Sequence, residues 1–322
     1  DVESRGLGDV YKRQPTYYGI CSDLKSLTDL AHSHGMKVLC DEAHGTHLYF
    51  GSNLPISGMA AGADLAAVSM HKSGGSLTQS SVLLTGQNMD KGLVRQIINL
   101  TQTTSASYLL LSSLDLSRRN LALRGKECFD KVVEMAEYAR EEINRIGGYY
   151  AYGRELVDGV NVFDYDVTKL CIYTRNIGLT GIEVYDLLRD EYDIQIEFGD
   201  LGSIMAYISI GDRLRDIERL VGALEDIKRL YAKDGSNLAC VDFIEPEVVK
   251  SPKQSFYAEK VSMPLSKSAG NVCGEFVMCY PPGIPILAPG ELITDEIIEH
   301  IVFSKEKGCS LQGAADPDVE NI

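Results

Sequence analysis

The chain lacks a basic surplus, a Cys-x-x-Cys pair and any apolar run of about 18 residues, and each absence removes a class of function. With 31 Lys and Arg against 46 Asp and Glu, the formal net charge is -15, a poor charge for gripping nucleic acid or an anionic membrane. No transmembrane helix and no signal peptide are expected. The 8 cysteines are scattered, fitting neither a zinc ribbon nor a disulfide scaffold, so reduced thiols in a cytoplasmic protein are expected. What remains is 44% hydrophobic and 24% charged, a composition that can bury a sizeable core. A length of 322 residues suggests roughly two domains, or three small ones.

Residues 1–14 (DVESRGLGDVYKRQ) show no helical or strand periodicity and read as a non-native linker, excluded from the fold. From Pro15 the sequence reads like the middle of a domain, so a front end is expected to lie upstream. Ser22 can cap a helix carrying Leu24, Leu27, Leu30 and Ala31 on one face, with Gly35 as its stop. Short apolar runs over 36–40, 63–70 and 82–85 predict strands. Alternating with helical stretches, they imply a parallel sheet covered by helices, an α/β arrangement. Ligands bind such sheets beyond the carboxyl ends of the strands, where the clusters DEAHGTH and SMHKSGGS fall.

Helices follow over 89–100 and 107–146, the second long enough to connect domains. The first domain is therefore placed at 15–149. A small α+β domain over 150–235 reads as strands at 160–163, 170–173, 194–198 and 205–210. Its two helices are capped by Thr180 with Glu183 and by Asp212. Residues 236–322 form a strand- and turn-rich block ending in a helix after Thr294 and a polar tail.

Lys72 follows a predicted buried strand, beside His71 and a flexible Ser73-Gly74-Gly75 turn. Partial desolvation there would make its amine nucleophilic, although an ordinary loop-end lysine fits the same pattern. Asp41 ends the preceding strand and projects to the same end of the sheet. A carboxylate paired with a lysine in this way is what pyridoxal phosphate requires. The lysine forms the Schiff base, and the carboxylate keeps the pyridine nitrogen protonated so that the ring accepts carbanion electrons. Ala43 is small enough to lie under a ring; Ser69 and the hydroxyl-rich 101–107 segment could serve a phosphate or simply cap helices. Asp41-Glu42-Ala43-His44 also spells a helicase box, which the acidic charge and the lack of an arginine-rich motif oppose. His44-x-x-His47 with Asp41 could instead hold a metal, but Gly45 favours a loop over the helix that spacing needs.

On these residues the chain resembles the ornithine/lysine/arginine decarboxylases of pyridoxal-phosphate fold type I, and is most similar to the short bacterial arginine/lysine decarboxylases. The stretches that carry the resemblance are PTYYGICSDLKSLTDLAHSHGMKVLCDEAHGTHLYF, GADLAAVSMHKSGGSLTQSSVLL, TTSASYLLLSSLD, TKLCIYTRNIGLTGIEV and CGEFVMCYPPGIPILAPGE. The resemblance implies a partial type I large domain, a small α+β domain and a family C-terminal domain.

It also implies roles. Lys72 becomes the Schiff-base lysine, Asp41 the pyridinium partner, Ala43 the packing surface for one ring face and His44 the pocket wall. Ser69 and His71 meet the phosphate or the Schiff-base region, and Thr103 reaches the phosphate of a neighbouring subunit in a homodimer. The implied reaction is decarboxylation of a basic amino acid (arginine, lysine or ornithine) to a polyamine-type amine and CO2. Glu197, Asp200 and Glu275 are candidates for selecting the cationic side chain. The family's upstream phosphate loop and stacking ring do not match anything before Pro15, so activity of the chain as it stands is in doubt. Another type I enzyme, such as an aminotransferase or aldolase, and a non-catalytic binding fragment remain open alternatives.

Overall fold

The computed structural model describes residues 9–233, 244–280 and 283–322. Strand β1 (Asp9–Arg13) begins the described chain, followed by β2 (Ile20–Cys21) and helix α1 (Leu24–Ser33). Asp23, not Ser22, starts α1, its carboxylate accepting the Ser26 amide at 3.0 Å. Leu24, Thr28 and Ala31 form the buried stripe, whereas Leu27 and Leu30 are exposed. At 100° per residue those two positions rotate off the stripe that meets the sheet.

Strand β3 (Lys37–Glu42) lies between β1 and β4 (Leu65–Val68), parallel to both. The register runs from Asp9 opposite Lys37 to Arg13 opposite Asp41. Residues 9–13 thus form a strand where no regular element was expected, because β3 supplies a ladder that local periodicity cannot reveal. Between β3 and β4 comes the short helix α2 (Gly58–Ala61), and after β4 the short helix α3 (Met70–Ser73). Strand β5 (Val82–Thr85) pairs with β4 antiparallel, correcting the expectation of a wholly parallel sheet. Residues 70–81 fold back on themselves, with the His71 amide donating to the Ser80 carbonyl. The chain therefore re-enters the sheet at the end it left, without a crossover. Leu24, Ala31, Val38, Cys40, Ala61, Ala63 and Ala66 make the core on the α1 and α2 face.

Helix α4 (Lys91–Thr101), capped by Asp90, precedes the 39-residue α5 (Tyr108–Ile146), roughly 58 Å long at 1.5 Å per residue. The chain divides into two compact units. Residues up to Arg145 with Ala151–Cys171 and Tyr207–Val221 form one; Ile146–Tyr150, Ile172–Ala206 and the residues from Gly222 onward form the other. Strands β6 (Tyr150–Ala151), β7 (Asp164–Tyr165) and β8 (Lys169–Tyr173) follow α5. The strand expected over 160–163 is absent, since one oxygen of Asp158 accepts the amides of Val160, Asn161 and Val162 and winds the segment into a turn.

Helix α6 (Gly181–Tyr192) opens with the capping box of Thr180 and Glu183 that the sequence predicts. Strands β9 (Phe198–Gly199) and β10 (Ser203–Tyr207) complete a sheet of order β6-β8-β10-β9. Only Phe198 of the strand expected over 194–198 is extended in it, because the Ile194 amide still closes α6 onto the Leu188 carbonyl. Helix α7 (Leu214–Tyr231) buries Ile217, Leu220 and Leu224, with Val221 half-buried beside them. Asp212 does not cap it but accepts the Ser209 amide. Helix α8 (Pro252–Phe256), strands β11 (Val277–Tyr280) and β12 (Ile284–Leu287), helix α9 (Asp295–Glu306) and strand β13 (Ser310–Gln312) form the last block. Helix α9 begins after Thr294, as expected, and Thr294 caps it. The core here is Leu265, Cys273, Val277, Leu287, Ile293, Ile297, Ile301 and Val319.

Gly181 permits the tight entry to α6, for a Cβ there would sit 1.9 Å from the Ser203 carbonyl oxygen. Gly181→Ala is expected to destabilise the chain by about 2–3 kcal/mol through overpacking against backbone that cannot retreat. A urea midpoint unchanged from wild type would contradict this.

Candidate active site

The site is built at the carboxyl ends of β3 and β4. Residues Val38, Cys40 and Glu42 of β3 face the α1 and α2 core and are buried, so Asp41 turns to the opposite, half-buried face. Its neighbours across the ladder, Ala67 on β4 and Leu83 on β5, are exposed. Asp41 Oδ1 accepts the Ala43 amide at 2.9 Å, a local turn that starts the DEAHGTH loop. Glu42, fully buried, is a structural carboxylate: it accepts the Gly58 amide at 2.7 Å and the Tyr49 hydroxyl. Burial raises its pKa despite those two donors.

Lys72 lies in α3, one helical turn after β4, where a loop-end lysine was expected. Its Nζ donates to His44 Nε2 at 3.1 Å, and the His44 ring lies 4.3 Å, centroid to centroid, from the tilted Tyr17 ring. The lysine as a whole is exposed, and only its head is drawn to the loop. Thr46 Oγ1 donates to the Ser69 carbonyl at 3.1 Å, a second tie between loop and lysine turn. His71 Nδ1 donates to the Ser80 carbonyl at 2.9 Å, which leaves Nε2 for another partner.

Beneath the loop is a cluster that sequence reasoning missed. Asp166 and His47 have no exposure, and Lys169 has 2%. His47 Nε2 donates to Asp166 Oδ2 at 2.7 Å, and the Tyr207 hydroxyl donates to His47 Nδ1 at 3.4 Å. Thr168 gives both its amide and its hydroxyl to Asp166 Oδ1. Lys169 Nζ lies 3.4 Å from Asp166 Oδ2, donates to the His44 carbonyl at 3.4 Å, and sits 3.7 Å from the Tyr207 ring centroid. Burial alone would raise the Asp166 carboxyl, but His47 and Lys169 beside it hold it far below the usual carboxylate range. Burial keeps His47 neutral, against the pull of Asp166. The only sequence signal was the polar stretch Asp166-Val167-Thr168-Lys169 leading into an apolar strand.

Asp41, Ala43, His44, Ser69, His71 and Lys72 therefore gather at two adjacent strand ends. Thr103 does not join them: it is exposed in the α4–α5 connection, its hydroxyl accepting the Ser105 amide. His44 and His47, weighed as metal ligands, turn to different partners, Lys72 and Asp166. Of the candidate substrate carboxylates, Glu197 is exposed, Asp200 accepts the Gly202 and Ser203 amides, and Glu275 accepts the Ala315 amide.

The mainly parallel sheet β1-β3-β4, with helices on one face and the antiparallel β5 at its edge, belongs to the type I fold of pyridoxal-phosphate enzymes. The lysine decarboxylase of Francisella novicida has this fold, with a TM-score of 0.75 at 19% identity over 98% of this chain and 55% of that one. So does the constitutive lysine decarboxylase of Escherichia coli, with a TM-score of 0.73 at 19% identity over 97% of this chain and 57% of that one. More particularly, the chain belongs to the Orn/Lys/Arg decarboxylase family: the family's major domain matches residues 10–216 and its C-terminal domain residues 240–315. It is 42% identical to the arginine decarboxylase of Bacillus subtilis over 96% of this chain and 64% of that protein. It is 43% identical to that of Halalkalibacterium halodurans over 94% of this chain and 62% of that protein. The chain thus spans somewhat under two thirds of the length of these curated relatives.

A histidine held neutral in the fold binds fewer protons than its unfolded counterpart below about pH 6.5, so its contribution to stability falls on acidification. Between pH 7 and 5.5 wild type should lose about 1 kcal/mol more stability than His47→Gln, whose amide can keep both the Asp166 and Tyr207 contacts. Urea midpoints at the two pH values check this, and parallel losses would show that His47 is not held neutral.

Proposed function

We propose that the chain carries the lysine-bearing part of a pyridoxal-phosphate-dependent decarboxylase acting on a basic amino acid, with arginine the first substrate to test. The observation that carries the reading is the approach of Lys72 to His44 beside Asp41, at the carboxyl ends of two parallel strands. The donor set fits the cofactor. Lys72 supplies the amine that would hold it, Asp41 a carboxylate for the pyridine nitrogen, and Ser69 and His71 a hydroxyl and an imidazole for the phosphate end. Ala43 supplies a small residue for one ring face, and His44 stands beside it at the pocket wall. Bound there, the cofactor supplies an electron sink for the pair left behind when the α-carboxylate departs as CO2.

The protein's own contributions follow from its geometry. A lysine amine attacks a carbonyl only when unprotonated, and His44 Nε2 is placed to take a proton from Lys72 Nζ. The Asp41 carboxylate, oriented by the Ala43 amide, is positioned to hold a proton on a neighbouring nitrogen. The identity to proteins named arginine decarboxylase supports arginine over lysine and ornithine. Activity in the cytoplasm accords with the seven described cysteines, none of which is disulfide-bonded. Among the described residues no helix is long and apolar enough to cross a membrane. The exposed Thr103 loop, flanked by exposed Leu100, Tyr108 and Leu109, supports a homodimer in which Thr103 serves the neighbour's site.

Borohydride reduction in the presence of pyridoxal phosphate, followed by peptide mapping, should label Lys72; a label confined to other lysines would overturn the site. In an assay of CO2 release from arginine, lysine and ornithine, Asp41→Asn should keep the fold yet lose about 3–4 kcal/mol of transition-state stabilisation, roughly two to three decades in rate. Near wild-type turnover would remove Asp41 from its role. Mixing inactive Lys72→Ala and Thr103→Ala variants should restore part of the activity if the site is shared between copies, and none if Thr103 acts within its own subunit.

A further inference from the structure

We propose that Lys169 is a positioning residue for this site, its buried ammonium holding the backbone of His44 and thereby the place of the Lys72 amine. The inference rests on the reading that Lys72 carries the cofactor, and deepens it. A lysine ammonium has three donors, and each has a destination here: the Asp166 carboxylate, the His44 carbonyl and the face of the Tyr207 ring. Desolvating a charge pair is costly, and an apolar residue of similar volume would fill the space at lower cost. A demand for a donor accounts for the charge better than packing does.

That demand comes from the loop. After Glu42 the chain turns sharply, the Gly45 amide closing on the Glu42 carbonyl, and the His44 carbonyl is directed inward among buried residues. An inward carbonyl needs a donor, and Lys169 Nζ provides one. The same residue, His44, presents its ring to Lys72 Nζ at 3.1 Å and to Tyr17 at 4.3 Å. Lys169 also touches the segment that carries Tyr17. Gly19, at φ +91, passes so close that a Cβ there would lie 3.0 Å from Lys169 Cβ and 2.9 Å from the Asp166 carbonyl oxygen. The lysine thus meets both segments whose rings meet beside Lys72, its stem lying against the one at Gly19 and its head bonded to the other at His44.

The test compares Lys169→Met, Lys169→Arg and the charge-neutral double variant Lys169→Met/Asp166→Asn in the whole chain. Three readouts are needed: thermal midpoint, amide exchange of residues 43–49, and the pyridoxal phosphate concentration that half-saturates borohydride-fixed labelling of Lys72. The double variant removes both buried charges, so it should melt near wild type. It should nevertheless exchange faster at 43–49 and need about tenfold more cofactor, the effect of one lost charge-assisted hydrogen bond. Lys169→Arg, which retains the donor, should recover most of that loss.

Wild-type half-saturation in a folded double variant would overturn the positioning role. So would a Lys169→Arg variant as impaired as Lys169→Met, which also decides the matter if the double variant fails to fold. A wild-type label on some other lysine would instead reject the reading of Lys72. The exchange rates at 43–49 would then still decide whether Lys169 holds the loop, unchanged rates overturning it.

Discussion

A carboxylate sealed from water, Asp166, stands between the Lys169 ammonium and the His47 imidazole, and the loop after β3 is folded around the three of them. Taking these groups out of water is unfavourable, and their mutual contacts offset that only because nearly every donor and acceptor is used. Thr168 fills one oxygen of Asp166, Tyr207 fills the second nitrogen of His47, and the His44 carbonyl accepts a hydrogen bond from Lys169. Nothing in the cluster can move far without leaving a buried polar group unpaired. Such a base suits a loop that must present a ring and a small residue at a fixed place.

The sheet above this base has two unlike faces. Helices α1 and α2 cover the one that carries Val38, Cys40 and Ala66, so the alternation of β3 sends Asp41 to the other, with Ala67 and Leu83 beside it. Because β3 and β4 are parallel, their carboxyl ends coincide, and Asp41 and Lys72 arrive at one end of the sheet from separate stretches of sequence. The antiparallel β5 does not disturb this, since the fold-back through residues 70–81 keeps Ser69, His71 and Lys72 within the same turn.

The second unit is organised differently, by close backbone approach and an apolar C-terminal core. Gly181 lies against the Ser203 carbonyl where α6 begins, and Val277, Leu287, Ile297 and Ile301 bury the faces of β11, β12 and α9. Several polar groups here finish a turn or a cap, as Asp200 and Thr294 do, while Glu275 ties its strand entry to the Ala315 amide 40 residues on. Their carboxylates read as binding candidates in a sequence because acids that close turns and acids that meet ligands have the same composition.

By itself the sequence determined the strands that carry Asp41 and precede Lys72, the capping box of α6, the start of α9, the long α5 and the family, because each of these is written in local periodicity, capping chemistry or a contiguous motif. Tertiary structure decided the rest. Strand β1 exists because β3 offers it a ladder, the 160–163 segment is a turn because Asp158 collects its amides, and β5 runs antiparallel because the chain folds back before it. The His47, Asp166 and Lys169 cluster was illegible for the plainest reason. His47 lies 119 residues from Asp166 and the His44 carbonyl 125 from Lys169, and a buried lysine is indistinguishable from a surface one until the chain has brought to it the carboxylate, the carbonyl and the ring that use its three protons.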